Sequence, residues 1–134
     1  MKENKLKIGI DIDNTITASL ESMAFFSLIT NALKDSAEIF IITNRDTSDE
    51  SREETKEELD LLDIHYDELA ITPDKTDYIL KKGIKIFYDD TDEYYLNLPE
   101  SVIVFKIRET GNFDFKKHKW IYGNKTGINM DAGK

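Results

Sequence analysis

The chain has 134 residues, 40% of them hydrophobic and 34% charged, the length of one domain and the composition of a globular rather than a disordered protein. Its 18 basic residues against 27 acidic ones leave a net charge of −9, so neither nucleic acid nor an anionic membrane is an expected partner, although one phosphate can still be bound locally. The sequence contains no cysteine, which excludes disulfides, thiolate metal sites and a cysteine nucleophile. The apolar run after the charged start Met1-Lys2-Glu3-Asn4-Lys5 is far shorter than a secretory core or a membrane span. The expectation is a cytoplasmic enzyme or binding domain occupying residues 1–134 as one unit.

In chain order, residues 6–12 form an apolar, β-branched run that ends in acid, the pattern of a strand buried on both faces of a parallel sheet. The same pattern predicts strands over 39–42, 84–88 and 102–105, with a weaker one over 68–71. Segments of helical length lie between them, over 20–33, 48–62 and 76–82, with a shorter one over 91–96. The helix carrying Met23, Phe25, Phe26, Leu28 and Ile29 is apolar nearly all round and is expected to pack on both sides. Alternation of strand and helix predicts a single doubly wound, Rossmann-like α/β domain with a mainly parallel five-stranded sheet. Residues 122–134 form a polar, Gly-, Asn- and Lys-rich tail, read as mobile or as a cover for a neighbour.

Ligands of an open parallel sheet bind beyond the carboxyl ends of its strands. The polar residues there are Asp11-Ile12-Asp13-Asn14-Thr15, Thr43-Asn44-Arg45-Asp46 and Asp89-Asp90. Asp11 and Asp13 alternate onto one side of a strand and can reach one small site. Each pair of unit charges about 4 Å apart costs roughly 4 kcal/mol at an effective dielectric near 20. Four convergent carboxylates therefore call for a cation, and Mg²⁺ prefers such oxygen ligands.

The ordered set Asp11-Ile12-Asp13-Asn14-Thr15, Thr43-Asn44-Arg45, Lys75 opening a helix, and Asp89-Asp90 resembles the four motifs of the haloacid dehalogenase superfamily of phosphohydrolases. The resemblance covers residues 6 to about 93 and is looser toward the small capless phosphatases and nucleotidase-like members found in bacteria. It implies Asp11 as the nucleophile that becomes an aspartyl phosphate, and Asp13 as the general acid and then base. Thr43 would bond the phosphoryl oxygens, Lys75 would neutralise them, and Asn44 would offer its backbone N–H. Asp11, Asp89 and the Asp13 carbonyl would hold Mg²⁺, with Asp90 or Glu93 ligating through water.

Plainer readings stand beside these. Thr43 and Asn44 also suit a helix cap, and Arg45 suits a surface ion pair as well as a phosphate or substrate contact. Lys81, Lys82 and Lys85 compete with Lys75, but Lys81 and Lys82 lie at the far end of the same helix and Lys85 follows it. Asp92 and Glu93 also suit a helix first turn, and His65 and His118 have no spaced partner. About 27 residues separate Thr15 from Thr43, too few for a cap domain, and Arg45 to Lys75 leaves room for only one helix and one strand. The site must then be covered by the substrate, by a second copy of the chain or by the chain itself. The Phe25–Phe26 helix and residues 111–123, with Trp120 and Tyr122, are the candidates for a cover. Phe25, Tyr94, Tyr95 and Trp120 are candidates for stacking on a base. The implied activity is Mg²⁺-dependent hydrolysis of a small phosphorylated substrate, a nucleotide, sugar phosphate or other metabolite. A receiver-like phospho-accepting switch, whose motif order differs, and a degenerate phosphate-binding protein are the alternatives.

Overall fold

The computed structural model describes residues 4–91 and 94–121. Five strands, β1 (Leu6–Ile10), β2 (Ala37–Thr43), β3 (Glu68–Ile71), β4 (Ile86–Asp89) and β5 (Ile103–Lys106), form one sheet in the order β3-β2-β1-β4-β5. Every pairing in it is parallel, as the apolar runs predict. Helices α1 (Leu20–Leu33), α2 (Asp49–Leu61) and α3 (Lys75–Lys82) make the crossovers.

The alternation of side chains along β2 builds two cores. Ile39 and Ile41 pack with Ile8, Ile10, Phe26 of α1 and Leu59 of α2, whereas Phe40 and Ile42 pack with Phe87 and Ile79 of α3. Gly9 of β1 is required by the second core, because a Cβ there would lie 2.8 Å from Ile42 Cδ1 and 3.3 Å from a Phe87 ring carbon. Ser19, Ser48 and Asp74 cap the three helices, accepting from the N–H groups of Ser22, Ser51 and Asp77. Gly83, at φ 72°, ends α3.

The predicted boundaries move where chain closure overrides periodicity. The first strand ends at Ile10 rather than residue 12, because the Ile12 carbonyl is taken by the turning chain, accepting from the Thr15 and Thr17 N–H groups at 3.2 and 3.1 Å, before a 3₁₀ turn, Ile16–Ala18. The fourth begins at Ile86 rather than 84, because Ile84 N–H closes α3 on the Ile79 carbonyl (3.0 Å). The short helix expected over 91–96 is described only in part: Tyr94 is 3₁₀ and residues 95–97 are turn, with Tyr94 N–H on the Thr91 carbonyl and Leu98 N–H on that of Tyr95. Asp92 and Glu93 lie outside the described residues. Among the described residues α1 packs on its sheet side. Phe26 is buried, but Leu20, Phe25 and Leu28 on the outer side are exposed.

Between Thr15 and β2 stand only the 3₁₀ turn and α1, and between β2 and Lys75 only α2 and β3, so neither interval holds a cap. Beyond β5 the chain forms an antiparallel pair, β6 (Phe113–Asp114) with β7 (Lys119–Trp120). No helix among the described residues is long and apolar enough to cross a membrane.

Candidate active site

The strand order reverses between β1 and β4, and an open α/β sheet leaves a crevice outside the strand ends at such a point. Asp11 directly follows β1, Thr43 ends β2 and Asp89 ends β4. Lys75 opens α3. A cavity of about 160 Å³ lies there, lined by Asp11, Asp13, Asn14, Thr43, Asn44, Lys75, Asp90, Thr91 and Tyr94.

Lys75 is 2% exposed and spans the reversal, with Nζ 2.7 Å from Asp11 Oδ1 and 2.8 Å from Asp89 Oδ2. Thr15 donates its hydroxyl to Asp11 Oδ2 at 3.0 Å, and the Thr91 N–H meets Asp89 Oδ1 at 3.0 Å. One oxygen from each of the buried Asp11, Asp89 and Asp90 lies within 4.8 Å of the others. The Lys75 ammonium thus bridges two of the three buried carboxylates, while Lys106, on the Asp90 carbonyl, bears on the third. Burial, with Asp89 beside it, pushes the Asp11 carboxyl up to about 6 against the pull of Lys75 and Thr15. Burial and the neighbouring Asp89 and Asp11 push Asp90 up to about 8. Burial opposes the Lys75 charge, but Asp11 and Asp89 outweigh it and hold the ammonium above its ordinary value. Three converging hard oxygens in excess negative charge fit a divalent cation of the Mg²⁺ kind.

The two raised carboxyls make a stability prediction. Between about pH 4, where an unfolded aspartate has lost its proton, and about 8, the folded chain binds more protons than the unfolded one. Stability in EDTA therefore falls as pH rises through that window, by a few kcal/mol in all, since each tenfold change in a group's acidity on folding is worth roughly 1.4 kcal/mol. A divalent cation held by the three carboxylates would flatten the dependence by taking the protons' place. Thermal unfolding against pH, with and without Mg²⁺, measures this; a midpoint that rises with pH in EDTA contradicts it.

Three carboxylates converge, not the expected four. Asn14 adopts φ 60°, and the Asp13 side chain, 55% exposed, turns to Arg45, whose Nε and Nη2 reach its two oxygens at 3.0 and 2.7 Å. Asp13 lines the cavity without joining the acid cluster. Arg45 accordingly takes the ion-pair reading, completed by Glu58 Oε1 at 2.8 Å.

Ser48, not Thr43 or Asn44, caps α2. Thr43 is 0% exposed, and its Oγ1 has no hydrogen-bond partner among the described residues. A buried hydroxyl left without a partner costs free energy, so a phosphoryl oxygen bound in this cavity gains from it. The Asn44 amide reaches the Tyr94 hydroxyl at 3.4 Å, and the Tyr94 ring centre stands 4.5 Å from Lys75 Nζ. Lys81 pairs with Asp77 and Lys82 with Glu68, both away from the cavity.

Sequence reasoning assigned no role to Thr15, Thr91 or Lys106, which position Asp11, Asp89 and the Asp90 carbonyl respectively. A hydroxyl four residues after Asp11 was the available signal for Thr15. Among the aromatic candidates Tyr94 lines the cavity and Phe25 does not. Tyr95 is packed near Phe87 with its hydroxyl on the Asp89 carbonyl. The Trp120 side chain and residues 122–134, including Tyr122, lie outside the described residues. His65 sits 3.7 Å from Asp67, not at the cavity. The chain matches no family model, and no curated protein matches it.

Proposed function

We propose that this chain is a Mg²⁺-dependent phosphomonoester hydrolase of the haloacid dehalogenase type, working through an aspartyl phosphate on Asp11. The observation that carries this reading is Lys75 held between Asp11 and Asp89, with Asp90 and the unpartnered Thr43 hydroxyl in the same cavity. Phosphoryl transfer needs mostly positioning and charge neutralisation. Asp11, Asp89 and Asp90, with the Asp13 carbonyl that the resemblance adds, would hold Mg²⁺, which supplies neutralisation of the phosphoryl charge.

The residues of the chain do the rest. Lys75 and Thr15 fix the Asp11 carboxylate so that an oxygen faces the cavity's contents as nucleophile. Thr43 donates to a phosphoryl oxygen, and Lys75 offers its positive charge. Asp13, half exposed at the cavity, gives a proton to the leaving oxygen and later takes one from the attacking water. A cavity of about 160 Å³ is small beside the roughly 300–1,000 Å³ of sites that enclose drug-sized ligands. It suits the phosphoryl group and the first atoms of a small metabolite, the remainder projecting outward or lying on Tyr94.

The test is phosphate release from para-nitrophenyl phosphate at neutral pH. Release requires Mg²⁺ and stops in EDTA, by at least ~10³-fold given the charge that then stays unneutralised. Undiminished hydrolysis in EDTA overturns the reading.

A further inference from the structure

Arg45 lies two residues beyond β2 and meets Asp13 as a fork, through Nε and Nη2. Its Nη1 is anchored on α2, donating to Glu58 Oε1 at 2.8 Å and to Thr55 Oγ1 at 3.1 Å. Thr55 is 1% exposed and donates in turn to the Ser51 carbonyl at 2.8 Å. Four of the roughly five N–H donors a guanidinium carries are thus directed at groups of the protein. An ordinary surface ion pair fixes little, because two long side chains wander. Here the aspartate is short, the arginine is tied at three nitrogens, and the bidentate contact sets direction as well as distance.

We propose that Arg45 is a positioning residue that aims the Asp13 carboxylate for proton transfer, and is not a ligand of the substrate's phosphoryl group; this rests on the phosphatase reading above. In the first half-reaction an Asp11 oxygen bonds to phosphorus and the ester P–O bond breaks. The electron pair left on the departing oxygen takes the proton of Asp13. The products are the alcohol, the aspartyl phosphate and an ionised Asp13. In the second half, a water oxygen bonds to phosphorus, its proton passes to Asp13 and the Asp11–phosphorus bond breaks, releasing phosphate. The fork engages both Asp13 oxygens, which is the arrangement an ionised carboxylate takes between the halves. Arg45 therefore keeps the Asp13 carboxylate at the edge of the cavity through both halves.

This role depends on how badly the leaving group needs a proton. The experiment compares kcat/KM for para-nitrophenyl phosphate, whose leaving oxygen departs without one, and phenethyl phosphate, of similar size, whose alkoxide does not. Arg45→Ala lowers the phenethyl value ~10²-fold and the nitrophenyl value by less than about tenfold, within the range general acid catalysis spans. Glu58→Gln, which loosens only the anchor, shows the same asymmetry in smaller measure and carries the comparison if Arg45→Ala does not fold. Equal losses on both esters, or a loss confined to KM, overturn the proposal and return Arg45 to phosphoryl binding. A wild-type chain that hydrolyses neither ester with Mg²⁺ overturns the phosphatase reading and this proposal with it. A wild type active on both, with symmetrical losses in the variants, overturns this proposal alone.

Discussion

Under the proposed mechanism Asp11→Asn is expected to abolish phosphate release, by at least ~10⁴-fold, the scale on which loss of a covalent nucleophile is felt. The amide occupies the same volume and keeps a carbonyl oxygen for Thr15 or Lys75, so packing changes little. It cannot attack phosphorus, because it lacks the negative charge and does not form an acyl phosphate that water can resolve. The substitution also removes one of the three clustered carboxylates, relieving repulsion that holds Asp90 high. The inactive variant is therefore at least as stable as the parent in EDTA and less responsive to Mg²⁺. Loss of activity with retained or raised stability separates a chemical role from a structural one. Turnover within tenfold of the parent contradicts the assignment.

The second large effect is on stability. Lys75→Met keeps a long apolar side chain but leaves Asp11 and Asp89 buried without the ammonium that now lies 2.7 and 2.8 Å from them. Breaking a buried pair by removing one partner costs about 3–5 kcal/mol, a large share of the roughly 5–15 kcal/mol that holds a typical domain folded. In EDTA at neutral pH the variant is expected to melt far below the parent. Two conditions restore it. Acid protonates the carboxyls. Mg²⁺ held by the acid cluster of the folded state would add about 2.7 kcal/mol at a hundred times its dissociation constant. Thermal melts in EDTA and in Mg²⁺ at two pH values test this, and a variant as stable as the parent in neutral EDTA contradicts the central place given to Lys75. Lys81→Met, on the exposed end of α3, serves as the control and moves the melt by no more than about 0.5 kcal/mol.

Much of this was legible because the informative side chains sit where local pattern and topology coincide. The β-branched run ending in Asp11, the run ending in Thr43 and the one ending near Asp89 each state a buried parallel strand and its polar exit in the same few residues. A lysine at the first position of a helix, with two more at its end, locates itself relative to the strand ends by helix direction alone. What periodicity does not encode is side-chain direction in loops. Asp13 leaves the acid cluster because Asn14 takes a left-handed conformation and because Arg45, 32 positions away, offers a fork. Neither follows from the alternation of a strand. The strand starts shifted for a similar reason, since Ile84 reads as strand but is needed to close α3 behind Gly83. The β6–β7 pair has two-residue strands, too short for any period to register.

In the proposed mechanism phosphorus passes through a covalent bond to one carboxylate. Quenching the protein during turnover of para-nitrophenyl phosphate and reducing it with borohydride converts an acyl phosphate to an alcohol, and peptide mass spectrometry then finds the altered residue. Homoserine is expected at position 11, formed only with Mg²⁺ and substrate together. Steady phosphate release with residue 11 unmodified, or with the mark on another carboxylate, would contradict it.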